Sequence, residues 1–189
     1  MSSLADALLR HACADDKERR DRDAILALLV RGDRAFARSE HDPGHLTGSA
    51  FVLDARQERV LLVHHAKLDR WLQPGGHAEP GETDPSLTAL REATEETGIT
   101  GLQLHPSAPR PFDLDVHLIP ARKEPAHLHH DVRYLLVAPE GAEPVASEES
   151  RAVEWRPLGE AAGPDADAAF RRAIGKIRML TFRPSRCPR

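Results

Sequence analysis

Glu92, Glu95 and Glu96 stand within about one helical turn in the stretch REATEETGI. Like charges three and four residues apart on a helix repel, each pair costing roughly 0.2–0.5 kcal/mol. Two arrangements relieve that cost: an exposed face where water screens it, or a positive group set among the carboxylates. Taken alone, the spacing favours the exposed face. The segment in front shifts the balance. QPGGHAEPGE brings Gly75, Gly76, Glu79, Gly81 and Glu82 directly before the helix. Adjacent glycines let a backbone turn sharply and let a ligand approach its carbonyls and amides. Hard divalent cations take oxygen ligands, and Mg²⁺ binds a few carboxylates while keeping waters and substrate phosphate oxygens. A glycine loop delivering the Gly75 carbonyl beside Glu92, Glu95 and Glu96 suits such an ion, with Arg91 and Glu82 as struts that orient carboxylates by charge-assisted hydrogen bonds.

Gly76, Glu82, Arg91, Glu92, Glu95, Glu96, Gly98 and Ile99 resemble the signature of the Nudix hydrolases, in which Gly, five residues, Glu and seven residues lead into Arg-Glu and then Glu-Glu, a spacer, Gly and an apolar residue. One departure stands out: eight residues, not seven, separate Glu82 from Arg91. The extra residue is most easily absorbed at 83–85, before the helix. The resemblance covers about residues 76–99, and the surrounding strand order is also similar to that family's. It implies an α/β fold, a Nudix-type α/β/α sandwich around a mixed sheet. It also implies Mg²⁺- or Mn²⁺-dependent hydrolysis of a nucleoside diphosphate linked to another moiety: ADP-ribose, a sugar nucleotide, a dinucleoside polyphosphate or a nucleoside triphosphate. By position, Glu92, Glu95 and Glu96, with the Gly75 carbonyl, are the implied metal ligands, and Glu82 and Arg91 their supports. Because the family's water-activating base often lies outside the motif, Glu124 and Asp131 are candidates, with Glu148 and Glu149 as others.

A second constellation lies in FDLDVHLIPARKEPAHLHHD. Alternate residues of a strand share a face, so Asp113, Asp115 and His117 point one way, as do His127, His129 and Asp131. If the strands are neighbours, the rows meet in one polar patch, either a solvated sheet face or a pocket wall contacting substrate or an extra metal. A structural zinc site is not expected, since no cysteine joins and the usual spacing is absent. His127, His129 and Arg133 are candidate substrate contacts; Arg110, Arg122 and Lys123 could also meet phosphates. Trp71, beside the glycine loop, is positioned to stack on a base or to pack beneath the loop.

These residues need elements to hold them. Asp84 as N-cap, Pro85 at the first helical position and Gly98 as a left-handed stop predict a helix over 85–97. Its periodicity places Leu87, Leu90, Ala93 and Thr97 on the buried side and the three glutamates opposite. Strands are expected at 46–54 and 59–65, as a hairpin, then at 112–119, 127–138 and 152–158, with 71–85 as a Pro/Gly-rich loop. Helices are expected from Ser2 or Ser3 to His11, over 16–31 and over 167–180. The domain limits that follow are a helical N-terminal extension at 1–41, a Nudix domain at 42–182 and a tail at 183–189. The extension is expected to cover the sheet or to contact a second copy in a homodimer.

Composition sets outer bounds. The 189 residues are 40% hydrophobic and 30% charged, with only 4% aromatics, so the core should be aliphatic. A net charge of −4 offers no footprint for broad nucleic-acid binding. No run approaches the ~18–20 apolar residues that span a bilayer. No signal peptide is read at the N-terminus, and Cys13 and Cys187 are expected as reduced thiols, so the expected location is cytoplasmic. The expected partner is a small nucleotide-type substrate. The competing reading is a non-catalytic nucleotide-binding module on the same fold, disfavoured because a pure binder has no need of the full glutamate set; isomerase chemistry on this fold ranks lower still.

Overall fold

The computed structural model describes residues 3–66, 68–147, 150–164 and 166–181. Ser2, Glu148, Glu149 and Cys187 lie outside the described residues, while Cys13 is a free thiol. Two helices lead, α1 (Leu4–Leu9) and α2 (Asp16–Leu29), followed by a 3-10 turn at Gly32–Phe36. Then come β1 (Gly44–Leu53), β2 (Arg59–His65), β3 (Arg70–Leu72) and β4 (Gly75–His77). Helix α3 (Pro85–Thr97) separates these from β5 (Gln103–Leu104), β6 (Asp113–Ile119), β7 (His127–Val137) and β8 (Ser150–Pro157), and α4 (Ala168–Thr181) closes the fold. No helix of the described residues is long and apolar enough to cross a membrane.

The sheet is mixed. β1 is buried along its whole length and pairs in parallel with β7, from Gly44 opposite Leu128 to Leu53 opposite Val137. Its other edge is shared: β2 pairs with its C-terminal end and β4 with Thr47–Ser49, both antiparallel. The expected β1–β2 hairpin is present, and β6 and β7, whose pairing the sequence left open, are antiparallel neighbours. Helices cover both faces. Leu46, Ala50, Val52 and Val132 pack with Ile25 and Leu28 of α2 and with Ala89 and Ala93 of α3. Phe51, Leu53, Leu62 and Leu135 pack on the other side with Phe170, Ile174 and Ile177 of α4. The result is an α/β/α sandwich with a mostly aliphatic core, to which α1 contributes the fully buried Leu8.

Three short strands depart from expectation. β3 and β4 form inside the stretch expected as loop, because Pro74 and the glycines leave backbone groups that β1 and β2 can pair: the Ala50 amide donates to the Pro74 carbonyl at 2.9 Å. β5 is two residues added beside β7. None of the three is long enough to show the alternating pattern that would announce it.

The N-terminal helices are tied to the sheet and to α4 by buried charge. Lys17 donates to Asp21 at 2.5 Å and to Asp115 of β6 at 2.6 Å. Glu18 is fully buried; it contacts His11 at 2.7 Å, accepts from the Ala14 amide at 2.7 Å and pairs with Lys176 of α4. Burial alone would raise its pKa, but the bonds from His11, Lys176 and Ala14 outweigh it and hold the carboxyl at about 2. A carboxylate depressed in the folded state stabilises above its unfolded pKa and loses that contribution as pH falls toward the folded value. The stability gap between the parent protein and Glu18→Gln, measured by urea denaturation, should therefore be full near pH 7 and narrow by roughly 2–3 kcal/mol between about pH 5 and pH 2.

Candidate active site

α3 begins and ends where its caps place it. The Asp84 side chain accepts from the Ser86 amide at 2.9 Å, Pro85 takes the first turn, and Gly98 stops the helix at φ 67°. Its orientation corrects the expected one. The buried face is Pro85, Thr88, Ala89, Ala93 and Thr97, while Leu87 is 55% exposed. Glu92 and Glu96 fall on the sheet side rather than opposite it, and only Glu95 projects outward, its side chain 55% exposed against 18% for Glu92. The reason is steric. A Cβ at Gly48 would stand 2.4 Å from the Pro85 carbonyl oxygen, and one at Gly76 would stand 2.6 Å from the Glu92 carboxyl carbon. Small residues on α3 meet bare backbone on β1 and β4, so the helix settles close and lays its carboxylates against the glycines. The Gly75 amide donates to Glu96 Oε2 at 3.1 Å.

Arg91 organises the rest. Its Nη1 donates to Glu92 at 3.0 Å and Glu95 at 3.1 Å; its Nη2 donates to the His77 carbonyl at 2.7 Å and Glu82 at 3.1 Å. Glu82 also accepts from the Glu79 amide at 3.0 Å and the Thr88 hydroxyl at 2.9 Å. Partial burial pushes the Glu82 pKa up, but these donors, Arg91 foremost, bring it below its ordinary value. Arg91 is desolvated as well, yet its carboxylate neighbours raise its pKa. The extra residue between Glu82 and Arg91 is thus absorbed without breaking their pair. Three carboxylates around one guanidinium, with Glu96 beside them, leave a surplus of negative charge, and every donor is a hard oxygen. That set fits Mg²⁺ or Mn²⁺, with Glu92, Glu95 and Glu96 as the residues to hold it.

The second constellation does come together. β6 and β7 pair Asp113 with Arg133, Asp115 with Asp131 and His117 with His129, so the two rows share a face. They divide into two parts. Arg133, expected at phosphates, is instead buried among three carboxylates, Asp115 and Asp131 at 2.9 Å and Asp113 at 3.3 Å. Desolvation opposes its charge, but those carboxylates raise its pKa. Asp131, a candidate base, is buried and accepts from Thr47 at 3.1 Å, Ser49 at 2.7 Å and Arg133 at 2.9 Å. Its oxygens are committed to the network, which removes it from contention for activating water. Asp113 also binds Arg172 of α4 through both oxygens at 2.9 Å.

The other part is imidazole. His129 lies against His45, His77, His117 and His127, with ring centroids 4.9–5.6 Å apart. Burial, reinforced by neighbouring imidazoles, lowers the pKa of His77 to about 4 and of His129 to about 2, and lowers that of His45. His127 is buried with Nδ1 2.8 Å from the Pro125 carbonyl oxygen. Glu124 is part-exposed and pairs with Arg38 at 3.2 Å, beside this cluster. Arg110, Arg122 and Lys123 are exposed. Trp71 packs against the α4-side core, with Arg156 over its ring at 4.0 Å and the His64 ring against it at 4.9 Å, so it serves packing rather than base stacking. Sequence reasoning missed His45, His77, Lys17 and Arg172. Periodicity could have put His45 on the face of Thr47 and Ser49, but only the β1–β7 pairing shows that this face meets His129.

Fold and site together define a mixed-sheet sandwich that displays an acidic, oxygen-rich site from the helix behind its glycine strand. The chain belongs to the Nudix family: the NUDIX domain model matches residues 44–176. Over 65 residues it is 47% identical to diphosphoinositol polyphosphate phosphohydrolase 3-alpha of Homo sapiens, covering 32% of this chain and 39% of that protein. Over 47 residues it is 49% identical to the asymmetrical bis(5'-nucleosyl)-tetraphosphatase of Mus musculus, covering 25% of this chain and 31% of that protein. The aligned stretches thus span well under half of these curated relatives. Among solved structures, an Ap4A hydrolase binary complex from C. elegans superposes with a TM-score of 0.58 at 20% identity, covering 71% of this chain and 96% of that one. A NUDIX-family hydrolase from Clostridium perfringens superposes at 0.53 and 24% identity, covering 72% and 97%. These likenesses show the shared fold.

The Gly76–Glu92 contact has a direct consequence. Gly76→Ala should fold but displace the Glu92 carboxylate, weakening Mn²⁺ binding by about 10–100-fold, as read from titration of the free-ion electron paramagnetic signal.

Proposed function

We propose that this protein is a Mg²⁺- or Mn²⁺-dependent pyrophosphohydrolase, cleaving a phosphoanhydride in a nucleoside diphosphate linked to another moiety. The observation that carries the reading is the Arg91 lattice: one guanidinium spans Glu82, Glu92, Glu95 and the His77 carbonyl, while the Gly75 amide takes Glu96. A helix that merely turned acidic residues to solvent would not have all three held in place by an arginine and a strand amide. The chain's similarity to a diphosphoinositol polyphosphate phosphohydrolase and a bis(5'-nucleosyl)-tetraphosphatase supports a substrate with linked phosphates.

Glu92, Glu95 and Glu96, with the Gly75 carbonyl, would hold the metal, which when bound neutralises bridging phosphates and acidifies water for attack on phosphorus. The chain's own part is positioning. Arg91 fixes the carboxylate rotamers, which spares the ordering cost at the moment of binding. Glu82 fixes Arg91, and the Thr88 hydroxyl and Glu79 amide fix Glu82. Outside the motif, Glu124 is the remaining base candidate among the described residues.

The test is a substrate panel with Mg²⁺ or Mn²⁺: ADP-ribose, sugar nucleotides, dinucleoside polyphosphates, diphosphoinositol polyphosphates, NADH, coenzyme A and nucleoside triphosphates. Turnover that Glu95→Gln or Glu96→Gln lowers by about a hundredfold or more is the expected outcome. No turnover with either metal, while a nucleotide still raises the melting temperature, would replace the hydrolase with the binding module.

A further inference from the structure

We propose that His45, His77 and His129 form a site for a borderline divalent transition metal, Zn²⁺ by preference, distinct from the α3 carboxylates. The three residues come from three different strands. His45 of β1 pairs with His129 of β7, and β4 places His77 opposite Thr47, beside them. Their rings make a nearly equilateral triangle with centroids 5.1, 4.9 and 4.9 Å apart. Each offers a ring nitrogen within 4.8 Å of the other two.

The nitrogens are prepared as ligands. His45 is fully buried, and its Nδ1 lies 2.9 Å from the Glu40 carbonyl oxygen, so Nδ1 carries the hydrogen and Nε2 keeps its lone pair. That Nε2 has no hydrogen-bond partner. A backbone carbonyl on one nitrogen and an open lone pair on the other is the arrangement that orients metal-binding histidines. An unpartnered buried polar atom is costly, and although His41 Nε2 and His127 Nε2 share that state, only at His45 do two further imidazole nitrogens already stand at metal-bridging distance. His77 Nε2 and His129 Nε2 stand 3.2 Å apart. Two imidazole nitrogens on one tetrahedral zinc, each bound at about 2.0–2.1 Å, stand about 3.3 Å apart. Small ring rotations bring the third nitrogen in.

Ligand chemistry separates this site from the carboxylates. Imidazoles select Zn²⁺, Co²⁺, Ni²⁺ and Cu²⁺, whereas Mg²⁺ keeps to oxygen. Three protein ligands leave a fourth position for water. The metal's task is mechanical: β4 is three residues long, and its backbone supplies both the Gly75 amide bound by Glu96 and the His77 carbonyl bound by Arg91. A metal on the His77 ring pins that strand to β1 and β7.

A second possible trio, His41, Glu124 and His127, lies alongside, with His127 5.1 Å from His45. The experiment therefore distinguishes the two. Tag-free full-length protein in excess Mg²⁺ is titrated with Zn²⁺ by calorimetry and with Co²⁺ by visible absorption. One tight equivalent is expected, with a tetrahedral Co²⁺ spectrum and a melting temperature raised by several degrees. His77→Gln and His129→Gln should each weaken binding by about a hundredfold or more, while His127→Gln and the Glu95→Gln/Glu96→Gln pair retain it. Melting in chelator confirms that each variant folds; if His129→Gln does not, His77→Gln on the short edge strand carries the test alone. Absence of binding, unchanged affinity in His77→Gln and His129→Gln, or loss through His127→Gln or the glutamate pair would each overturn the proposal.

Discussion

The site depends on how closely α3 can approach the sheet. Where Gly48 and Gly76 stand, any side chain would collide with the helix backbone or with Glu92. Bare backbone at those points lets Ala89 and Ala93 settle onto β1, and the same closeness brings Glu92 and Glu96 within reach of the strand that carries Gly75 and Gly76. The carboxylates then crowd each other, and Arg91 becomes necessary. Its guanidinium is anchored at one side by the His77 carbonyl, so the strand that sets the helix distance also sets the angle of the arginine. A contact of steric origin thus determines an electrostatic arrangement.

The face of the sheet away from α3 has a divided character. Toward the C-terminal halves of β1 and β7 it is apolar, where Phe51 and Leu135 meet α4. Toward their N-terminal halves it holds Asp113, Asp115, Asp131 and Arg133, then the histidines. Taking such charges out of water is expensive, and attraction compensates only when each finds well-placed partners. Here Arg133 answers three aspartates, Lys17 answers Asp115 and Arg172 answers Asp113. Asp115, desolvated yet facing His117, Arg133 and Lys17, stays well below the usual carboxylate range.

Much of this was legible in the residue order. The caps of α3 were written locally in Asp84, Pro85 and Gly98, and the glutamate spacing with the glycine loop pointed to the family. The rows of β6 and β7 followed from strand alternation. What could not be read depends on non-local pairing. A helix wheel ranks faces by side-chain hydrophobicity, so it turned Leu87 inward; the helix is in fact seated by small residues on glycine, an interaction hydrophobicity does not register. Arg133 looked like a phosphate ligand because its carboxylate partners are distributed over two strands. His45 drew no notice because its companions come from β4 and β7, one of them antiparallel and three residues long.

The buried charges linking the two ends of the fold impose an order on its assembly. Asp113 and Glu18 belong to the earlier parts of the chain, yet their partners Arg172 and Lys176 are carried by the last helix. A nascent chain can pair Glu18 with His11 and Asp113 with Arg133 before α4 is made, but each carboxylate is fully answered only once Arg172 and Lys176 follow. Lys17 already holds α2 to β6 through Asp115, so α4 completes the buried network rather than starting it. Within this domain α4 acts as a clasp, one helix answering carboxylates from both α2 and β6.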